Sequence, residues 1–394
     1  MIERIPKEVV DILKLINKER YEAFMIGGAV RDLLMYRTPK DYDICTDMPL
    51  EELKQKLPHF HIMKPSPTRH TGIIVINNIP IEISTYRGKT LMEDMLKRDF
   101  TANAIAYSHT DGLIDYFSFR KDIFEKRIKL IDKTNGSMEE NPLIILRALR
   151  LSSQLGYEIE PKTKERIKKS SHLLDTIKPE RLTKELISIL QTENFVNTLI
   201  EYENIFNTII PELSTLSKEN KKNLQRLLSI LPNNHILRLS ALFLYVDNNI
   251  DTFYKFARRI NLDNKSIKNV IGILKYANQE LKASKTAIIS MIREVNIQTV
   301  ELIFLFKYAL HSLQNIDKTD LLKTQALYQE EIDQIVNTKI RRLVINHQKI
   351  EEMGYSSTDA ITIYNTISGK IINNELPNSD TTIKQYIFKH FKRS

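Results

Sequence analysis

Residues 24–46, FMIGGAVRDLLMYRTPKDYDICT, limit what this chain can fold into more than any other stretch. The apolar run from Ala23 to Ile26 reads as a strand that meets two glycines, Gly27 and Gly28. A short helix is expected next, then a second strand beginning near Asp41. Residues i and i+2 of a strand project to one face, so the DYD spacing sets Asp41 and Asp43 side by side while Tyr42 points away. Two hard carboxylates suit Mg²⁺, which tends to bind through one or two carboxylates plus substrate phosphates. Paired glycines ahead of a helix offer exposed backbone N–H groups and room for a phosphate to approach them. Alone, each half is an ordinary strand edge or turn. Joined by VRDLL, they outline one cleft for metal and phosphate.

GGAVRD at 27–32 followed by DYD at 41–43 resembles the nucleotidyltransferase core of the class II tRNA nucleotidyltransferase (CCA-adding enzyme) and bacterial poly(A) polymerase family. KRDFTANA at 97–104 is similar to that family's RRDFTxNA, with Lys97 in place of the first arginine. The resemblance implies that Asp41 and Asp43 are catalytic and hold two Mg²⁺ ions. It implies nucleotide-binding roles for Gly27, Gly28 and Arg31, and for Arg98, Asp99 and Asn103, which would hold the triphosphate and the ribose 2′-hydroxyl. DGLIDYF at 111–117 resembles the short segment that follows in the family, where the distal aspartate, here Asp115, helps join head to neck.

Between these motifs a β-hairpin is expected within 61–87, from GIIVI at 72–76, the turn pair Asn77-Asn78, and PIEISTYR at 80–87. Alternation puts Ile81 and Ile83 on one face and Glu82 and Ser84 on the other. Glu82 then either completes a catalytic carboxylate triad or is an ordinary solvent-facing strand residue.

The chain departs from the family at 140–151, ENPLIILRALRL, where the family reads EDxxRxLRAxRF. There the resemblance implies a base pocket read by an aspartate and an arginine, and this chain has Asn141 and Ile144 instead. Glu140 and Asn141 remain candidates for the pocket, and Arg147 and Arg150 for contacts to the triphosphate or the neck. Ile144 cannot donate a hydrogen bond, and losing a donor opposite a base edge removes about 1–3 kcal/mol of discrimination. Altered base selection is expected, with the chemistry retained. PERLTKEL at 179–186 matches the family's ERxxxE, with Arg181 and Glu185 spaced to brace one helix.

The 394 residues are too many for one ordinary core. With 42% hydrophobic and 27% charged residues, the chain reads as globular. No stretch reaches the roughly 18 apolar residues of a membrane span; the most apolar run, LIFLF at 302–306, reads as a buried helix turn. With no signal-peptide core at the N-terminus, a cytoplasmic location and no membrane partner are expected. The single cysteine, Cys45, excludes an intrachain disulfide and reads as a small buried side chain. A net charge of +9 suits a polyanionic partner, and without an aromatic-rich signature binding would rest on phosphates and shape. No HD-type His/Asp cluster is evident, so no phosphohydrolase domain is assigned.

Residues 4–18 have apolar positions at helical spacing, and seven of the ten glycines precede residue 157. The expectation is therefore an α+β fold: a catalytic head at 1–128 with a small mixed sheet, then a helical neck (129–190), body (191–275) and RNA-binding tail (276–394). The resemblance implies template-independent addition of nucleotides from CTP and ATP to the 3′ end of tRNA. Two alternatives stay open: an RNA 3′-terminal nucleotidyltransferase of other specificity, poly(A)-like or single-nucleotide, and a catalytically silent RNA-binding relative. The oligomeric state is left open.

Overall fold

The helical spacing at the front of the chain becomes helix α1 (Lys7–Lys18), which buries Val9, Ile12, Leu13 and Ile16 along one stripe. Burying an aliphatic side chain of this size contributes roughly 1.5–3 kcal/mol, enough to fix the helix beside β1 (Ala23–Ile26). There follow α2 (Gly28–Leu34), β2 (Tyr42–Thr46), α3 (Leu50–Lys56), β3 (His61–Ile62), β4 (Thr71–Ile76) and β5 (Ile79–Thr85). The chain continues through α4 (Leu91–Leu96), β6 (Ala106–Ser108), β7 (Gly112–Ile114), α5 (Arg120–Phe124) and β8 (Arg127–Ile128). This computed structural model describes residues 4–57, 59–63, 70–131, 138–341, 343–372 and 375–391, without the side chains of 285 and 338–341. Residues 64–69 of the expected hairpin region and 132–137 of the expected neck lie outside them.

Seven strands form one mixed sheet in the order β3-β4-β5-β2-β1-β6-β7. All neighbours are antiparallel except β2 and β5, which run parallel with Asp43 opposite Glu82. The expected hairpin is β4–β5, and its turn pair Asn77-Asn78 takes left-handed φ values of 51° and 64°. Two such residues give a turn whose twist matches that of the strands it joins. One side of the sheet, with Met25, Ile44, Ile81 and Ile83, is closed by α1 and α2. The other, with Ile26, Cys45 and Ala106, is closed by Leu91 and Met95 of α4 together with Ala104 and Ile131. Cys45 is fully buried, and burial pushes its thiol far up from its ordinary value, which removes it as a nucleophile.

Beyond the sheet come α6 (Leu143–Leu155), the two-residue strand β9 (Glu158–Ile159), α7 (Pro161–Ser170), α8 (Pro179–Leu190), α9 (Phe195–Glu201) and α10 (Glu203–Ile209). The sequence pattern predicts only helices here, but β9 pairs in parallel with β8 through Arg127–Glu158 and Ile128–Ile159. A two-residue strand leaves no periodicity to read. Tertiary pairing alone makes it.

The chain divides into two compact units, Met1–Pro211 and Glu212–Ser394. The second is built from α11 (Lys218–Ile230), α12 (His235–Val246), α13 (Ile250–Arg259), α14 (Asn264–Ala277) and α15 (Lys285–Val295), then α16 (Ile297–Gln314), α17 (Thr319–Arg341), α18 (His347–Glu352), α19 (Ser357–Ile372) and α20 (Asp380–His390). In the apolar run at 302–306, Ile303, Phe304 and Phe306 are buried as expected, but Leu305 is 47% exposed, because a helix that turns 100° per residue cannot hide five consecutive side chains. No helix among the described residues is long and apolar enough to cross a membrane.

Candidate active site

The site starts where β1 runs into α2. Gly27 has φ +90°, a conformation L side chains rarely adopt, and it serves as the N-cap of α2. A Cβ at this position would lie 3.0 Å from Asp43 Oδ2 and 3.3 Å from Arg98 Nη1. The absent side chain thus makes a seat between an acid and a guanidinium, beside the first backbone N–H groups of a helix. That is the form expected of a phosphate cradle.

Asp43 is half-buried on β2, and the parallel register puts Glu82 of β5 directly beside it on the same side of the sheet. Asp41 is exposed and lies one residue ahead of β2, in a bend. The second strand therefore begins at Tyr42, later than the sequence pattern predicts. The β2–β5 ladder starts at Tyr42–Ile81, and the Tyr42 side chain is 4% exposed, so burial of the tyrosine pins the strand start and leaves Asp41 beyond it. Among the described residues, no three His, Cys, Asp or Glu side chains form a ready-made metal cluster. The donors present, hard carboxylates next to a phosphate-sized seat, nonetheless fit Mg²⁺, which completes its shell with substrate phosphates and water.

A cleft of about 190 Å³ joins Gly27, Gly28, Asp43, Arg98, Asp99 and Asn103 to Arg147 and Arg150 of α6. Eight of the residues singled out from the sequence therefore converge. Asp41, Glu82, Arg31, Glu140 and Asn141 are not part of its lining. Arg31 is 5% exposed and is held by its neighbours: Nε and Nη2 donate to Asp32 Oδ1 at 2.9 and 2.6 Å, and Nη1 donates to Asn103 Oδ1 at 2.6 Å. It thereby fixes Asn103, whose committed oxygen leaves the amide NH₂ as its donor. Glu140 is exposed and Asn141 half-buried, both ahead of α6. Ile144 is fully buried, on the helical stripe that carries Arg147 and Leu151 at i+3 and i+7. Asp115 accepts from the N–H groups of Phe119 and Arg120 at 2.8 and 3.0 Å and so secures the start of α5.

The cleft arginines are held by acids. Arg147 Nη1 donates to Asp99 Oδ2 at 2.6 Å, Arg150 Nε donates to Glu185 Oε2 at 2.7 Å, and Arg147 Nε is 3.5 Å from Glu185 Oε1. Glu185 thus ties α8 to α6, which corrects the expectation that it braces α8 through Arg181. The spacing that suggested an i,i+4 pair lost to two arginines presented by a packed neighbour helix. Sequence reasoning also missed Arg87, Phe100, Leu151 and Glu185 as lining residues and Asp94 as the support of Arg98 and Arg87. Asp94 is fully buried; its Oδ2 accepts from Arg98 Nε at 2.9 Å and its Oδ1 from the Arg87 backbone N–H at 3.0 Å. The i,i+4 spacing of Asp94 and Arg98 was the available signal.

Residues 23–91 and 87–129 match the family described as "Poly A polymerase head domain", and 156–216 match "Probable RNA and SrmB-binding site of polymerase A". The chain is 30% identical over 286 residues to the CCA-adding enzyme of Bacillus mycoides (strain KBAB4), spanning 68% of this chain and 70% of that one. It is 32% identical over 236 residues to the CC-adding tRNA nucleotidyltransferase of Halalkalibacterium halodurans, spanning 59% and 62%. Its fold is similar to that of the Bacillus stearothermophilus CCA-adding enzyme solved in complex with CTP, with a TM-score of 0.66 and 20% identity over 97% of this chain and 96% of the other.

Proposed function

The chain belongs to the class II CCA-adding enzyme and poly(A) polymerase family and adds nucleotides to the 3′ end of tRNA, and from this premise we propose that the cleft at Gly27, Asp43 and Arg98 is where the transfer takes place, with CTP and ATP as substrates. One observation carries this reading: the Cβ that Gly27 lacks would meet both the Asp43 carboxylate and the Arg98 guanidinium. An anion placed there would touch a helix N-terminus and a guanidinium while facing a carboxylate that binds cations.

In this reading the triphosphate lies along Gly27 and Gly28 with Arg98 on its oxygens. Asn103, held by Arg31, offers its NH₂ group to the ribose, and Arg147 and Arg150 complete the basic wall. Asp41 and Asp43, with Glu82 alongside, would hold the Mg²⁺ ions; when bound, Mg²⁺ supplies Lewis-acid neutralisation of phosphate charge. The RNA 3′-hydroxyl oxygen forms the new bond to the α-phosphorus and gives up its proton to water, the bond from that phosphorus to the bridging oxygen of the β-phosphate breaks, and pyrophosphate leaves with that oxygen. The protein's part is orientation and fixed charge, which dominate phosphoryl-transfer catalysis.

The finer reading is that base selection is altered. Ile144 is fully buried and brings no donor to the cleft, so discrimination would rest on Asn141 and Glu140. One relative is named a CC-adding and another a CCA-adding enzyme, which is in keeping with a family in which the nucleotides added differ. The test is incubation of the protein with tRNA lacking its 3′ terminus and each labelled nucleoside triphosphate, singly and together. Incorporation that falls about a thousandfold in Asp43→Ala, several kcal/mol of lost transition-state stabilisation, is the expected result. Strict C, C, A order would overturn altered selection. No incorporation by the wild-type protein, or an Asp43→Ala variant as active as wild type, would overturn the cleft as the catalytic site.

A further inference from the structure

We propose that Asp94 is a positioning residue for nucleotide binding, setting the aim of Arg98 so that Nη1 meets the triphosphate; this rests on the reading of Arg98 as a phosphate ligand. Asp94 sits on α4, a six-residue helix started by the Thr90 side chain, which accepts from the Glu93 N–H. Its carboxylate is wholly removed from water, and Asp94 itself does not line the cleft. A buried carboxylate is costly unless every lone pair is used.

Its two oxygens serve two cleft arginines. Oδ2 takes the Nε–H of Arg98 at 2.9 Å; Oδ1 takes the backbone N–H of Arg87 at 3.0 Å and is 4.0 Å from Arg87 Nε. A guanidinium has five donors in a rigid plane. Fixing Nε therefore fixes the plane, and for Arg98 that plane carries Nη1 to within 3.3 Å of the missing Gly27 Cβ. Arg98 is only 8% exposed, so its charge is balanced by the Asp94 carboxylate more than by water. Arg87 is clamped a second time, because its Nη1 donates to the Lys97 carbonyl at 3.0 Å while Lys97 Nζ donates to the Arg87 carbonyl at 2.8 Å. Lys97, Arg98, Asp94 and Arg87 thus form one tied unit behind the cleft wall. Asp94 binds Arg98 through Nε and leaves Nη1 on the side of the Gly27 seat.

Asp94→Ala and the isosteric Asp94→Asn are compared with Arg98→Ala and the double variant Asp94→Ala/Arg98→Ala, measuring KM for CTP and ATP, KM for tRNA, kcat, and inhibition by inorganic tripolyphosphate. Asp94→Asn keeps the shape and one acceptor, so it folds even if Asp94→Ala does not. Loss of aim is expected to raise KM for both nucleotides roughly tenfold to a hundredfold in Asp94→Ala, less in Asp94→Asn, and to weaken tripolyphosphate inhibition by the same factor. KM for tRNA stays within twofold. Asp94→Ala is expected to add nothing once Arg98 is gone. A nucleotide KM unchanged in folded Asp94→Asn while Arg98→Ala raises it would overturn the proposal and leave the phosphate role of Arg98 intact, and so would full additivity of the two substitutions. An Arg98→Ala variant with unchanged nucleotide KM and tripolyphosphate inhibition would overturn both.

Discussion

Arg98 in the first unit and Lys307 in the second are both buried cations, 8% and 6% exposed, and they are used in opposite ways. Lys307 Nζ donates to the carbonyls of Tyr276, Ala277 and Gln279 at 3.3, 3.1 and 2.6 Å, one per ammonium hydrogen, and so closes the C-terminal end of α14. Burial lowers its pKa from the ordinary lysine value. Arg98 spends Nε on Asp94 and carries Nη1 to the rim of the Gly27 seat. A saturated buried charge serves the fold, whereas one fixed on a single side with its other donors turned to a cavity is prepared for a ligand. Geometry separates the two; burial does not.

The comparison is sharpened most by filling the seat. Gly27→Ala puts a Cβ 3.0 Å from Asp43 Oδ2 and forces alanine to φ +90°. We expect kcat/KM to fall roughly a hundredfold through misplacement of the acid and the phosphates, alongside a stability loss of about 1–3 kcal/mol from backbone strain. Parallel kinetics and thermal unfolding check this, and equal proportional losses in Arg98→Ala and Gly27→Ala would tie the two to one ligand. Lys307→Met should do the reverse. It strands carbonyls at the end of α14 and costs about 1–3 kcal/mol, read as a lower Tm, while kcat and both KM values of the folded protein stay within twofold. A nucleotide KM that rose in Lys307→Met would break the distinction.

The smallest effect concerns His235, at the start of α12, whose Nε2 lies 3.4 Å from Ser266 Oγ. Burial lowers its pKa from 6.5, partly offset by Asp263. The unfolded chain takes up the proton first as pH falls, so stability is fully present above pH 6.5 and declines below it until the folded form also protonates. Urea unfolding between pH 7.5 and about 5 should show this decline, and His235→Gln should flatten it.

Much of the site was legible because its parts lie in short motifs. The Gly27-Gly28 pair and Asp43 lie about fifteen residues apart along one strand–helix–strand unit, and Arg98, Asp99 and Asn103 fall within one segment that resembles a family motif, so short stretches were enough to single them out. Glu82 was ambiguous because one strand's alternation says which face a residue takes and nothing about its neighbour. The parallel register supplied that neighbour, Asp43. Asp41 was misassigned to the strand because the DYD spacing cannot reveal where a ladder with a distant partner begins. Glu185 was given the wrong partner because its true ones, Arg150 and Arg147, are presented by a helix 35 residues or more away in sequence. Asp94 carried an i,i+4 signal like many solvated pairs on helix surfaces, and only its complete burial sets it apart.

The sequence by itself determined the chemistry: which side chains carry charge, where glycine allows a backbone that other residues resist, and the helical and alternating periods that decide strand from helix. Those properties depend on neighbours within a few bonds or one turn. Only the tertiary structure decided who faces whom, whether Glu82 stands beside Asp43, which acids hold which arginines, and which buried cation is saturated and which is aimed at a cavity. Those relations depend on register and on the packing of segments tens of residues apart, where the interaction is set by contact geometry that no local pattern encodes.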